Sequence, residues 1–179
     1  MGAKFVAADP GLCIGCKTCM AACLAKHDVS GDVAQPRLVL VATLAVSAPV
    51  ACRHCADAPC AAACPEGALY RDGDRVGVAQ ERCIGCRSCV EACPYGAVEV
   101  APRIETVRFG DLTIGEGVRA QVVKCDLCPD RLGGPACVAA CPTGGLFLVD
   151  RDERWEGAPR TAQAAMAKAA PCDAACIRK

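Results

Sequence analysis

Eighteen of the 179 residues are cysteine, and sixteen of them fall into four groups of four. Two groups share the central stretch CRHCADAPCAAACPEGALYRDGDRVGVAQERCIGCRSCVEACP: Cys52, Cys55, Cys60 and Cys64, then Cys83, Cys86, Cys89 and Cys93. A third, Cys13, Cys16, Cys19 and Cys23, precedes them in CIGCKTCMAAC. The last, Cys125, Cys128, Cys137 and Cys141, follows in KCDLCPDRLGGPACVAACP. Thiolates are soft ligands for iron–sulfur clusters and zinc. Three on one loop can wrap three corners of an iron–sulfur cube. A fourth, one helical turn further on and followed by proline, points away and completes a neighbouring cube.

The group at Cys83 to Cys93 has the CxxCxxCxxxCP spacing of a two-cluster bacterial ferredoxin. The group at Cys52 to Cys64 keeps its logic with a longer gap before the third cysteine. Zinc is the main competing metal, but its sites usually join two short pairs across a long spacer. Sixteen complete ligand positions therefore imply four 4Fe–4S clusters. A disulfide scaffold fits poorly, because the chain is long for that class and its cysteines repeat as quartets. Met1 to Pro10 contain neither the apolar core of a leader nor a twin-arginine pair, so a reducing cytoplasm is the expected compartment. The most apolar run, Leu38 to Val50, is too short to span a membrane.

Twenty basic and twenty acidic residues balance, so nothing points to nucleic acid. Bound clusters would make the protein acidic. No nucleophile–base pair, phosphate loop or organic-cofactor motif is present, and no catalytic residue is assigned. With six aromatic residues the chain has little bulk for a conventional core, so the clusters should staple the fold.

Eighteen residues separate Cys64 from Cys83, whereas the other two gaps are longer. This favours a nested arrangement, in which the second and third groups pair and the first and fourth close around them. Cys52, Cys55, Cys60 and Cys93 would then hold one cluster, and Cys83, Cys86, Cys89 and Cys64 another. The outer pair would use Cys13, Cys16, Cys19 and Cys141, and Cys125, Cys128, Cys137 and Cys23. Serial pairing, first with second and third with fourth, stays open at this point.

The segments CRHCADAPC…CPEGAL and KCDLCPDR…GPACVAACPTGGL resemble the four-cluster electron-transfer subunits of molybdenum and tungsten oxidoreductases. That family includes the iron–sulfur subunits of dimethyl sulfoxide reductase, formate dehydrogenase and formate hydrogenlyase. It also takes in partners of carbon monoxide dehydrogenase and the small subunits of some tungsten aldehyde oxidoreductases. The resemblance runs from about Lys4 to Val149. It implies nested ligation and a row of cubes serving as a wire. It further implies a non-catalytic subunit that connects a catalytic oxidoreductase subunit (a molybdenum or tungsten enzyme, a hydrogenase or carbon monoxide dehydrogenase) to a redox partner. A freely diffusing polyferredoxin serving several enzymes is the alternative. The chain lacks the long insertions and C-terminal membrane anchor of larger members, which favours a soluble partner.

The elements that position these loops form an α+β pattern: two nested ferredoxin-like modules of short antiparallel hairpins and short helices. Residues 1–50 and 101–150 would build the outer module, 51–100 the inner one, and 151–179 a C-terminal helical arm. Strands are expected at Lys4 to Ala8, Leu38 to Val46, Ala97 to Val100 and Leu146 to Val149. Hairpins are expected around Asp72-Gly73 and across Arg103 to Val123. The first group lacks the closing proline, so its helix should run through Cys23 towards His27. CPEGAL, CPYGAV and CPTGGL repeat after the other three groups; proline stops each helix and glycine permits the turn into a strand.

Lys17, Arg53, Arg87 and Lys124 lie in or beside ligand loops, where they could raise cluster potentials, position a partner or simply offset cluster charge. His27 and His54 are expected in structural or surface roles, and Trp155 in packing or at an interface. Cys172 and Cys176 supply only half a quartet, so no fifth cluster forms within the chain. Arg160 to Lys179 is expected to be an arm docking on a partner subunit or a second copy of the chain.

Overall fold

The computed structural model describes residues 4–27 and 35–151. Trp155, Cys172, Cys176 and the expected arm at Arg160 to Lys179 lie outside the described residues. Within them, short helices alternate with two-stranded antiparallel sheets, an α+β architecture. The strands are β1 (Lys4–Ala8), β2 (Leu38–Ala42), β3 (Ser47–Ala51), β4 (Leu69–Asp72), β5 (Arg75–Val78), β6 (Val98–Phe109), β7 (Leu112–Lys124) and β8 (Leu146–Asp150). The helices are α1 (Thr18–Lys26), α2 (Pro59–Ala62), α3 (Ser88–Glu91) and α4 (Ala136–Ala139). No helix among the described residues is long and apolar enough to cross a membrane.

β1 pairs with β8, bringing the two ends of the described chain together from Lys4 opposite Asp150 to Ala8 opposite Leu146. The period of two divides β1 cleanly. Phe5 and Ala7 join Val149 on one face, and Val6 joins the cysteine-rich core on the other. α1 packs on α4, and α2 packs on α3. The core follows the same division. Val6, Leu38, Ala51 and Leu146 surround Cys19, Cys23, Cys52, Cys125 and Cys137. Ala58, Leu69, Val76, Val98 and Val122 surround Cys60 and Cys89. Cysteine supplies the bulk that aromatic residues would give elsewhere.

Three expected elements are redrawn. The strand placed at Leu38 to Val46 stops at Ala42, and its β-branched continuation becomes a turn. The Thr43 hydroxyl oxygen accepts from the amides of Ala45 and Val46 (3.4 and 3.1 Å), a local bond that competes with the strand ladder. The hairpin expected at Asp72-Gly73 turns one residue later. Asp72 pairs with Arg75, so Gly73-Asp74 is the two-residue loop, and Gly73 takes the positive φ (59°) that its first position requires. Finally, the strand at Ala97 to Val100 and the hairpin at Arg103 to Val123 are one ribbon, β6–β7. Pro102 lies within β6, opposite Ala120. Each strand of a two-stranded ribbon is an edge, so a residue without an N–H is tolerated there. The distal half of this ribbon exposes Val107, Phe109, Leu112 and Ile114.

Candidate metal centre

The first and third cysteine groups share one local geometry. In CIGCKTC and CIGCRSC, Gly15 and Gly85 hold φ of 70° and 78°, and Lys17 and Arg87 hold 60° and 64°. A Cβ on Gly85 would stand 2.8 Å from that of Ala120, so position 85 excludes a side chain by space as well as by φ. These left-handed residues curl the loop and release it into α1 and α3. The third cysteine of each group then lies on a helix and is buried: Cys19, Cys60, Cys89 and Cys137.

After the fourth cysteine, Gly67, Gly96 and Gly144 adopt φ of 59° to 65°. The turn aims backbone N–H groups at sulfur: Ala68 donates to Cys64 Sγ (3.2 Å) and Ala97 to Cys93 Sγ (3.4 Å). The first group has no proline and its helix continues to Lys26, as its sequence implied. There the equivalent bond to Cys23 Sγ comes from the Arg37 amide, far along the chain, at 3.3 Å.

The fold brings the groups together across long sequence distances. Cys13, Cys16, Cys19 and Cys141 line one cavity, together with Ile14, Leu40 and Leu146. Cys64, Cys83, Cys86 and Cys89 line a second. The remaining eight thiols are coupled electrostatically. Burial pushes Cys60 up to about 11, and Cys52 and Cys93 add to the effect. Burial pushes Cys137 up to about 12, with Cys23 and Cys128 adding to it. Cys125 is likewise pushed up to about 12 by burial, then by Cys137 and Cys52.

The two cavity-lining groups are wetter. Cys16 and Cys86 are exposed. The Thr18 hydroxyl donates to Cys16 Sγ (3.3 Å) and the Ser88 hydroxyl to Cys86 Sγ (3.5 Å), and both bonds lower the thiol pKa. Sequence reasoning missed these hydroxyls, although the signal was present: Thr18 and Ser88 occupy the same place in two copies of one motif. It also missed Ser47, whose hydroxyl reaches Cys13 Sγ at 3.4 Å from β3.

The flagged cations separate by environment. Lys17 and Arg87 are surface residues of the curled loops, and Arg87 lies 3.5 Å from Glu99. The Arg53 guanidinium stands over the rings of Phe5 and Tyr95, at 4.9 and 5.5 Å. Lys124 is buried. His27 Nε2 lies 3.4 Å from Asp126 and 3.7 Å from Cys128 Sγ, the three forming a compact group. His54 is wholly buried; its Nδ1 accepts from the Val76 amide (3.0 Å), and burial, then the charge of Lys124, pulls its pKa down to about 3. It is a neutral structural imidazole.

The donor set fits 4Fe–4S clusters. Eight thiols line two cavities in fours, backbone amides point at sulfur, and thiolates in such places are what metal binding would stabilise. Comparison with known proteins agrees. Two family models, each described as a 4Fe-4S dicluster domain, match residues 43–151 and 12–69. The electron transport protein HydN of Escherichia coli (strain K12) is 46% identical over 157 residues, covering 84% of this chain and 90% of that protein. Formate hydrogenlyase subunit 2 of Escherichia coli (strain K12) is 40% identical over 169 residues, covering 84% and 83%. Hydrogenase-4 component A of the same strain is 38% identical over 171 residues, covering 83% of each chain.

Proposed function

The chain belongs to the family of 4Fe-4S dicluster domains, and from that premise we propose that it is a non-catalytic electron-transfer subunit carrying four 4Fe–4S clusters. It wires a catalytic oxidoreductase subunit to a second redox partner. The names of its relatives, formate hydrogenlyase subunit 2 and hydrogenase-4 component A, point to hydrogenase or formate chemistry in that catalytic subunit. The wider class takes in molybdenum or tungsten aldehyde oxidoreductases and carbon monoxide dehydrogenase. The setting is cytoplasmic, and the C-terminal segment from Arg160 to Lys179 serves assembly with the partner or with a second copy.

In this reading the ligand sets are nested. Cys13, Cys16, Cys19 and Cys141 hold one cluster, and Cys125, Cys128, Cys137 and Cys23 the next. Cys52, Cys55, Cys60 and Cys93 hold the third, and Cys83, Cys86, Cys89 and Cys64 the fourth. Residues 1–50 with 101–150 form the outer module around residues 51–100. The observation that carries the reading is the company each fourth cysteine keeps: Cys141 lines the cavity of Cys13, Cys16 and Cys19, and Cys64 that of Cys83, Cys86 and Cys89.

Each bound cluster supplies a one-electron carrier whose potential falls somewhere in the roughly −700 to +450 mV range open to protein clusters. The protein's own residues do the rest. Backbone amides of Arg37, Ala68 and Ala97 stabilise the thiolates by donating to sulfur. Burial of Cys23, Cys125, Cys128 and Cys137 keeps water from the interior. Exposure of Cys16 and Cys86, beside the exposed side chains of Ile14 and Ile84, gives two accessible ends for electron entry and exit.

Protein purified without oxygen should contain about sixteen irons and about sixteen sulfides per chain, with spin-coupled signals on reduction. Tightly bound zinc with little iron would overturn the assignment. The second reading, a free polyferredoxin, draws on HydN, whose name is that of an electron transport protein and not of an enzyme component. Anaerobic pull-down separates the two: a stoichiometric large subunit supports the wired complex, and several weakly held enzymes support the diffusing carrier.

A further inference from the structure

Lys124 is the last residue of β7 and only 3% exposed, a rare place for an ammonium group. Its Nζ donates to the carbonyl oxygens of Val76 (2.7 Å) and Cys125 (2.8 Å). Carbonyl dipoles satisfy hydrogen bonds but do not neutralise a charge. Among the described residues no carboxylate lies within ion-pairing distance of it. Asp126 lines the same cavity of about 310 Å³ but is engaged by Arg37 and by His27. Asp72, the other carboxylate of that cavity, pairs with Arg75, and His54 is a neutral ring bonded to the amide of the same Val76. A buried cation held by hydrogen bonds and without a counter-ion would be strongly destabilising.

The position of Lys124 suggests where the missing negative charge lies. It immediately precedes Cys125, and its second anchor, Val76, packs in one core cluster with Cys60 and Val122. It therefore stands between the two groups that contain Cys125 and Cys60. Its charge also acts on the Cys60 thiol, opposing the upward push of burial and of the neighbouring cysteines.

Resting on the cluster assignment above, we propose that Lys124 is the fixed counter-charge of the two central clusters and a positioning residue for electron transfer, raising their reduction potentials relative to those at the ends. Reduction adds negative charge to a cluster with its thiolates, and a buried cation favours the reduced state. Because the site is shielded from solvent, the effect should persist at high salt, unlike that of a surface lysine. The device keeps the middle of the row from becoming an electrostatic barrier, since adjacent clusters repel each other's electrons.

The test uses full-length protein purified without oxygen, with iron content and potentiometric EPR read in parallel. Lys124→Gln removes the charge and leaves a shorter amide donor. It should move two of the four potentials to more negative values at unchanged iron content, in low and high salt alike. Lys124→Arg should restore them, and Arg103→Gln, on the exposed ribbon, should move none. Unchanged potentials in Lys124→Gln, or an equal shift of all four, would overturn the proposal. If Lys124→Gln does not load iron, Gln80→Glu decides: it sets a carboxylate in the same cavity and should lower the same two potentials, while wild-type values there would overturn the proposal. Wild-type protein without iron–sulfur clusters would instead fail the functional assignment, a result distinguishable from both.

Discussion

The loop CIGCRSC around Cys83 to Cys89 and the loop KCDLC around Cys125 use the same ligand chemistry in opposite surroundings. In the first, Cys86 is exposed, Ile84 beside it is exposed, and a serine hydroxyl lowers the thiol pKa. In the second, both cysteines are buried, Cys125 is pushed up to about 12, and a buried lysine precedes it. The loop at Cys13 to Cys19 repeats the first case. The two loops share the CxxC spacing and differ in burial. Wet loops suit exchange with a partner, and dry ones suit passage through the interior.

The largest test of this contrast removes one thiol from each environment. Cys137→Ala and Cys86→Ala should each lose about a quarter of the iron. Cys137 is also a core side chain, so its loss should lower Tm clearly more, with a buried-truncation penalty of about 1–3 kcal/mol. Equal changes in Tm would mean that burial does not distinguish the two regions.

A smaller effect concerns pH. Ligation needs thiolates, so loading of the apo-protein releases protons and strengthens as pH rises. The lowered thiols Cys16 and Cys86 level off first. Burial also raises Cys19 and Cys89, but Cys60, Cys125 and Cys137 are pushed up to about 11 and 12, so the groups containing them should continue to gain to higher pH. Reconstitution followed at several pH values by iron content and EPR checks this, and a single common profile would contradict it.

The smallest effect is local. Thr18→Val and Ser88→Ala each remove one hydroxyl bond to sulfur, and hydrogen bonds to sulfur are among the determinants of cluster potential. Each should shift the potential of one end cluster to a more negative value and leave the central ones untouched. Potentiometric EPR on each variant would show it, and a shift in a central signal would blur the comparison.

Much of this site was legible in the sequence because ligation leaves marks of fixed spacing. The sixteen cysteines could be grouped by their short spacings, with Cys-Pro closing three of the four groups, and the absent proline after Cys23 correctly foretold the longer helix α1. What escaped has no periodic signature. The burial of Lys124 and His54 depends on where β5 meets β7, a contact between residues 48 positions apart in the Lys124–Val76 hydrogen bond. The ribbon β6–β7 was read as a strand and a separate hairpin, whereas the pairing runs on through Pro102, which a ribbon of two edge strands tolerates. Thr43 ended a strand by bonding to its own backbone, a choice its β-branched neighbours concealed.

Nested ligation is the claim on which the wire depends, and it is tested most directly by counting iron in three variants. Cys23→Ala, Cys137→Ala and the double variant are purified in parallel without oxygen. If Cys23 completes the cluster of Cys125, Cys128 and Cys137, each single variant loses about a quarter of the iron and the double loses no more. If Cys23 instead serves the group of Cys52, Cys55 and Cys60, as serial pairing would have it, the double variant loses about half, and the nested account fails.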